Sequence, residues 1–159
     1  MPLIEHQTIV AVPIIKVWAF FTDPVRNLPR ISPPAAAVVI ESADLPIKDG
    51  SKITVAMKDP LGRRVRWESQ IEQYAPPHAV VFGFEARFVD VQLSGPFHAW
   101  KHEHEFEAID AKTTRVLDRV TYTPPMGLLG AILNLLVLRW YLRRVLRHRG
   151  EALKRELEQ

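Results

Sequence analysis

The chain has 159 residues, 47% of them hydrophobic, 25% charged and 9% aromatic, with a net charge of +3, which is the profile of one ordinary globular domain spanning 1–159. A chain of this length buries roughly 68–70% of the surface that its unfolded form exposes, so it can hold a core without staples. The absence of cysteine removes thiolate nucleophiles, disulfide frameworks, Cys-ligated zinc and iron–sulfur clusters.

Met1-Pro2-Leu3-Ile4-Glu5-His6 has neither a basic nor a long apolar character, so no secretory leader is expected and the cytoplasm is the default location. Leu3 to Val12 alternates loosely and stops at Pro13, which predicts a first strand. Ile14, Ile15, Val17, Trp18, Phe20 and Phe21 then follow at helical spacing. Asp23 and Pro24 supply an N-cap and a first helical residue for a second short helix to about Arg30.

Pro33-Pro34 breaks the chain. From Ala35 to Pro124 six strands are expected, separated by Lys48-Asp49-Gly50, Asp59-Pro60-Leu61-Gly62, Pro76-Pro77, Gly95-Pro96 and Asp110-Ala111-Lys112. Within them Ile53, Val55 and Met57 share one face, as do Val65, Trp67, Ser69 and Ile71, and these faces line either a core or a cavity. Arg87, Phe88, Asp90 and Gln92 belong either at the cavity mouth or on a solvated strand.

From Gly127 the period lengthens to about 3.6. Leu128, Leu129, Ile132, Leu133, Leu136, Trp140 and Leu146 are expected on one broad face of a long helix running nearly to the end. The apolar run through Leu138 is short of the roughly 20 residues that a membrane span needs. The last 21 residues hold seven Lys/Arg against three Glu, which puts the remainder of the chain near −1. That basic helix face is either solvated or a place for transient membrane-surface contact. It lacks interleaved exposed aromatics and no reading module is present, so nucleic acid is not expected as a partner.

A strand, two short helices, six strands and a long amphipathic helix give an α+β fold: a curved antiparallel sheet wrapped around the C-terminal helix, with an internal cavity between them. In Gly95 to Phe106, period-two alternation sends His98, Trp100, His102, His104 and Phe106 to one face. The other face carries Ala99, Lys101, Glu103 and Glu105 and is the solvent side. In Thr114 to Tyr122 the inward positions include Asp118 and Tyr122. An inward carboxylate beside inward imidazoles is costly unless they hydrogen-bond, so Asp118 is expected to pair with His102 or His104.

Gly95-Pro96-Phe97, Trp100-x-His102-x-His104-x-Phe106, Asp118-x-Val120-x-Tyr122 and Pro125-x-Gly127-x-x-Gly130 resemble a bacterial branch of the START/Bet v 1-like superfamily, the SRPBCC group. Pro13-x-x-x-Val17-Trp18-x-Phe20-Phe21-Thr22-Asp23-Pro24 is similar to that superfamily's opening helix, so the resemblance covers nearly the whole chain. It implies a helix-grip fold with a hydrophobic ligand cavity. Members of the superfamily include lipid and sterol carriers, polyketide cyclases and hormone receptors; some of this branch carry a cell-division-inhibitor label, for which these residues supply no mechanism.

Three roles are open for the inward polar cluster. It fixes strand register as a satisfied network; or it orients the polar end of a small hydrophobic ligand such as a lipid, isoprenoid or polyketide-like molecule; or it is catalytic, with His102 or His104 and Asp118 as a general base. In the ligand role the lining residues are Trp67, His98, Trp100, His102, His104, Phe106, Asp118, Tyr122, Leu129 and Leu133. His102-x-His104 with Asp118 is also a sparse metal pattern, but no metal or cofactor is expected. Neither a phosphate-cradling glycine loop nor a nucleophile elbow is present.

Overall fold

Alternation decides the strands. The computed structural model describes residues 1–78 and 85–159, and in β1 (Leu3–Val10) Ile4, Thr8 and Val10 point inward while Leu3, Glu5, Gln7 and Ile9 face out. Pro13 ends that strand and opens α1 (Ile14–Phe21), whose Ile14, Val17, Trp18 and Phe20 are buried. In α2 (Pro24–Ile31) Pro24 occupies the first turn and the Arg26 amide donates to Asp23 Oδ1 at 3.3 Å, the cap read from the sequence.

Among the described residues six further strands follow: β2 (Val39–Ala43), β3 (Lys52–Lys58), β4 (Arg64–Ala75), β5 (Glu85–Ser94), β6 (Ala99–Asp110) and β7 (Thr113–Thr123). All neighbours are antiparallel, in the order β1-β7-β6-β5-β4-β3-β2. This is the expected meander, with β1 closing onto the last strand. Register shifts in β4 at Glu68/Ser69 and Glu72/Ala75, the latter beside Gln73 at φ +52°, bend the middle of the sheet. The bent sheet is what leaves space on its inner face.

The terminal helix runs as α3 (Gly127–Leu133), a π-helical turn at Asn134–Leu138 and α4 (Arg139–Leu157). Only its second half packs on the sheet. Leu142, Leu146, Gly150, Ala152 and Leu153 are buried, and at Gly150 the helix lies so close to β1 that a Cβ there would come within 2.4 Å of Thr8 Oγ1. Glu156 pairs with Arg30 at 2.5 Å and Glu158 accepts from the Ala11 amide at 2.8 Å, fixing the helix end to α2 and to the end of β1.

The expected helix face is therefore corrected. Of the residues assigned to it, Leu146 is buried, whereas Leu128, Leu129, Ile132, Leu133, Leu136 and Trp140 are exposed. The helix overruns the sheet at its N-terminal end, and the π turn adds a residue that rotates the buried stripe to Leu138, Leu142 and Leu146.

Among the described residues two apolar clusters result. A small one joins Ile4, Val120 and Tyr122 to Leu142 and Leu146. The larger one centres on Phe106, whose ring lies 4.9 Å from Phe21 and 5.5 Å from Trp18. Phe106→Ala is expected to lower unfolding free energy by about 3–5 kcal/mol, measured by urea denaturation, because the aromatic neighbours Trp18, Phe21 and Phe88 come from a helix and an adjacent strand and cannot collapse together into the hole.

Candidate functional site

Register brings four ionisable side chains together. On the inner face Asp90 of β5 stands opposite His102 of β6, and His104 stands opposite Asp118 of β7. His102 Nε2 lies 2.8 Å from Asp118 Oδ1, and His104 Nε2 lies 3.2 Å from Asp90 Oδ2. The second contacts are looser: His102 Nδ1 is 3.7 Å from Asp90 Oδ2, while His104 Nδ1 is 3.0 Å from Asp118 Oδ1 but off the angle that a hydrogen bond needs. The imidazole centres are only 3.8 Å apart, and Phe88 stacks on His104 at 4.5 Å.

The surroundings set the protonation of each group. Burial, and then the neighbouring His104, hold His102 below its ordinary value against the opposing pull of Asp118. Burial also acts to lower His104, but the contacts with Asp118 and Asp90 outweigh it and hold His104 above its usual value. Desolvation raises both carboxylates, and the imidazoles more than reverse this, with Arg149 adding to the effect at Asp90. His104 thus keeps its proton to higher pH than His102, beside two carboxylates held ionised. Since an ionised carboxylate only accepts, His102 donates from Nε2 and its Nδ1 is left with a lone pair.

Above this cluster is a cavity of about 380 Å³ between the sheet, α2 and α4. The inner faces of β3 and β4 supply Ile53, Val55, Met57, Val65, Trp67, Ser69 and Ile71, all of which line it. Asp90, His102 and His104 form a polar floor, and Arg149 reaches in from α4. The remaining wall is largely apolar, with Trp67, Phe97 and Trp100 in mutual contact at 4.9–5.6 Å between ring centres.

The structure brings together part of the set expected to bind ligand. Trp67, Trp100, His102 and His104 line the cavity. Asp118 sits beneath the imidazoles, 8% exposed, and acts on the cavity through them. Phe106 is in the core behind His104 and does not reach the cavity lining. Tyr122 is fully buried, with its hydroxyl donating to Asn134 Oδ1 in the π turn.

His98, Leu129 and Leu133 are corrected outright: all three are exposed and none lines the cavity. Regular alternation begins only at Ala99, so extending it back to His98, in the bend that follows Gly95-Pro96, assigns the wrong parity. Gln92 accepts from the Phe97 amide at 3.4 Å and donates to its carbonyl at 2.8 Å, so the residue turned inward there is Phe97. Leu129 and Leu133 lie on the part of the helix that overruns the sheet.

Asp90 is the second carboxylate of the cluster, with one side-chain edge toward the cavity. Its shared parity with Phe88 in Phe88-x-Asp90-x-Gln92 was the available signal. Arg149 was hidden among the other arginines of the helix. For a metal, the convergent donors are Asp90, His102 and His104, one atom from each lying within 4.8 Å of the others; Asp118, the third ligand suggested by the sequence, backs the imidazoles instead. Asp90 and His104 already share a proton, which any cation held by them would have to displace.

A family model described as polyketide cyclase / dehydrase and lipid transport matches residues 1–158. A search of curated proteins returns no match. Among solved structures, the Zhui aromatase/cyclase from Streptomyces sp. R1128 is similar at 20% identity and TM-score 0.63, over 97% of this chain and 94% of that one. A START superfamily protein from Mycobacterium smegmatis gives 13% identity and TM-score 0.65, over 99% and 97%. The di-domain aromatase/cyclase BexL from the BE-7585A biosynthetic pathway gives 23% identity and TM-score 0.65, over 99% of this chain and 47% of that one. At these identities the likeness is one of fold.

The two histidines are expected to titrate as a coupled pair, with one step above and one below the ordinary 6.5. Imidazole ¹⁵N NMR should show His104 as the last to lose its proton, and Asp118→Asn should draw that upper step down. The signs for stability follow from linkage. His104 stabilises below 6.5 and loses this as pH rises through its folded value. Asp90 and Asp118 stabilise above 3.8 and lose it as pH falls through theirs, whereas His102 destabilises as pH drops below 6.5.

Proposed function

We propose, from the premise that the chain belongs to the polyketide cyclase / dehydrase and lipid transport family, that it binds one small, mostly apolar molecule between its sheet and α4. The observation that carries this is the cavity itself, about 380 Å³ and walled by aromatic and aliphatic side chains over a compact polar floor. Pockets for small organic molecules have this size and this division between an apolar wall and a few placed polar groups. A lipid, isoprenoid or polyketide-like compound fits that division, its apolar body against Trp67, Phe97 and Trp100 and its polar end at His102, His104 and Arg149.

A second reading rests on one specific observation. His102 is a buried imidazole with Asp118 fixing its Nε2 proton at 2.8 Å and Nδ1 left as a base, the arrangement that general-base catalysis uses. A bound carbonyl compound held against the apolar wall would lose a proton to Nδ1 and fold into an enolate, the step that cyclase or dehydratase chemistry needs. This reading expects Asp118→Asn to cut turnover by about 100-fold or more while leaving binding in place.

Native mass spectrometry of gently purified protein should reveal one organic molecule per chain, released on denaturation. Met57 lines the cavity at its aliphatic side, and Met57→Trp is expected to fill the space and abolish the adduct while the protein stays folded. An adduct that persists unchanged in Met57→Trp places the molecule elsewhere and contradicts the proposal.

A further inference from the structure

Apart from Leu138, the first half of the terminal helix takes no part in lining the cavity. From Met126 to Trp140 it is apolar but for Asn134 and Arg139 and is mostly exposed, with Gly130 buried and Asn134 and Leu138 half-buried: Leu128 is 88% exposed, Leu135 76%, Leu136 69% and Trp140 61%, with Leu129, Ile132, Leu133 and Val137 also open. A helix that is apolar all round is ordinarily buried in something, and a contiguous exposed patch of this kind marks a docking surface. Here the sheet covers none of those side chains, because the helix overruns it.

Charge identifies what covers the patch. No Asp or Glu occurs from residue 119 to residue 150, whereas Arg139, Arg143, Arg144 and Arg147 follow directly on the apolar stretch. All four are exposed and, among the described residues, none is in an ion pair; Arg144 lies over the Trp140 ring at 5.5 Å. An apolar tip followed by an indole and a collar of free guanidinium groups matches the boundary between acyl chains and anionic headgroups. Nucleic acid offers nothing for the leucines, and the same stretch of a second copy, Met126 to Arg147, offers the arginines no carboxylate.

The helix is not long and apolar enough to cross a membrane, so the contact is with one leaflet. We propose that Met126 to Trp140 docks the protein onto an anionic bilayer, the leucines seated among the upper acyl chains and Arg139, Arg143, Arg144 and Arg147 at headgroup level. The patch also adjoins the cavity: Pro125 and Leu138, at its edges, and Tyr141, one residue beyond it, line the cavity wall. Docking therefore sets that side of the cavity toward the lipid. The docking claim stands independently of what the cavity holds.

The test is sedimentation of the full chain with vesicles of phosphatidylcholine alone and of phosphatidylcholine containing phosphatidylglycerol, with Trp140 emission read in parallel against Trp140→Phe. The expected result is binding to the anionic vesicles, favoured about tenfold or more over the neutral ones, with a Trp140 blue shift. The preference should shrink in high salt and in Arg143→Gln/Arg144→Gln. Leu128→Glu/Leu135→Glu, at two exposed sites, should keep the native circular dichroism and lose at least about tenfold in bound fraction. Absence of binding to both vesicle types, or equal binding by the leucine variant, overturns the proposal. So does a dimer in light scattering that the leucine variant dissolves, which would assign the patch to a second copy of the chain.

Discussion

One buried carboxylate organises the inner face of the sheet. Asp118 is shut away from solvent and stands 2.8 and 3.0 Å from two imidazoles whose centres are 3.8 Å apart. An isolated charge in that position is unaffordable, so β6 must present both histidines and β5 must present Asp90 to complete the square. A slip of one residue between these strands would turn the polar set outward and leave Asp118 alone. The network thus fixes register through the middle of the sheet as well as giving the cavity its floor.

The cavity follows from two further constraints. Shifts in β4 bend the sheet, so the faces of β3 and β4 converge on space that side chains do not fill. Gly150 then lets α4 approach β1 closely, which closes one end of the space while leaving Leu142, Val145 and Arg149 to form its roof. Tight contact at one end of the helix and an overrun at the other leave a cavity with an apolar collar at its edge. The proposed ligand wall and the proposed membrane contact thus fall on one element.

Much of this was legible in the sequence because the inner face obeys period two. Trp100, His102, His104 and Phe106 alternate cleanly with charged residues, and Asp118 shares parity with Val116 and Val120, so the His–Asp pairing could be inferred without coordinates. Its partner Asp90 was less visible, since a single acidic residue on a strand is more often solvated. The errors fall where periodicity was carried across a break. His98 lies before the alternation starts, beyond a turn held by Gln92, and Leu129 and Leu133 belong to a helix whose apolar residues surround it. Hydrophobic spacing identifies a helix but cannot say whether sheet or lipid covers it. Arg149 was lost among its neighbours because only the packing of α4 separates it from the exposed arginines.

The measurement that bears most directly on the central claim is chemical-shift mapping while a neutral naphthalene-class compound is titrated into the protein. The indole N–H signals of Trp67 and Trp100 and the backbone amides of Phe97 and Phe88 report from the cavity wall, and Trp140 reports from the exposed helix. Saturable shifts at the first group with Trp140 unmoved are the predicted result. Shifts confined to Trp140 and the neighbouring leucines would contradict it, since the apolar molecule would then be held on the outside of the protein.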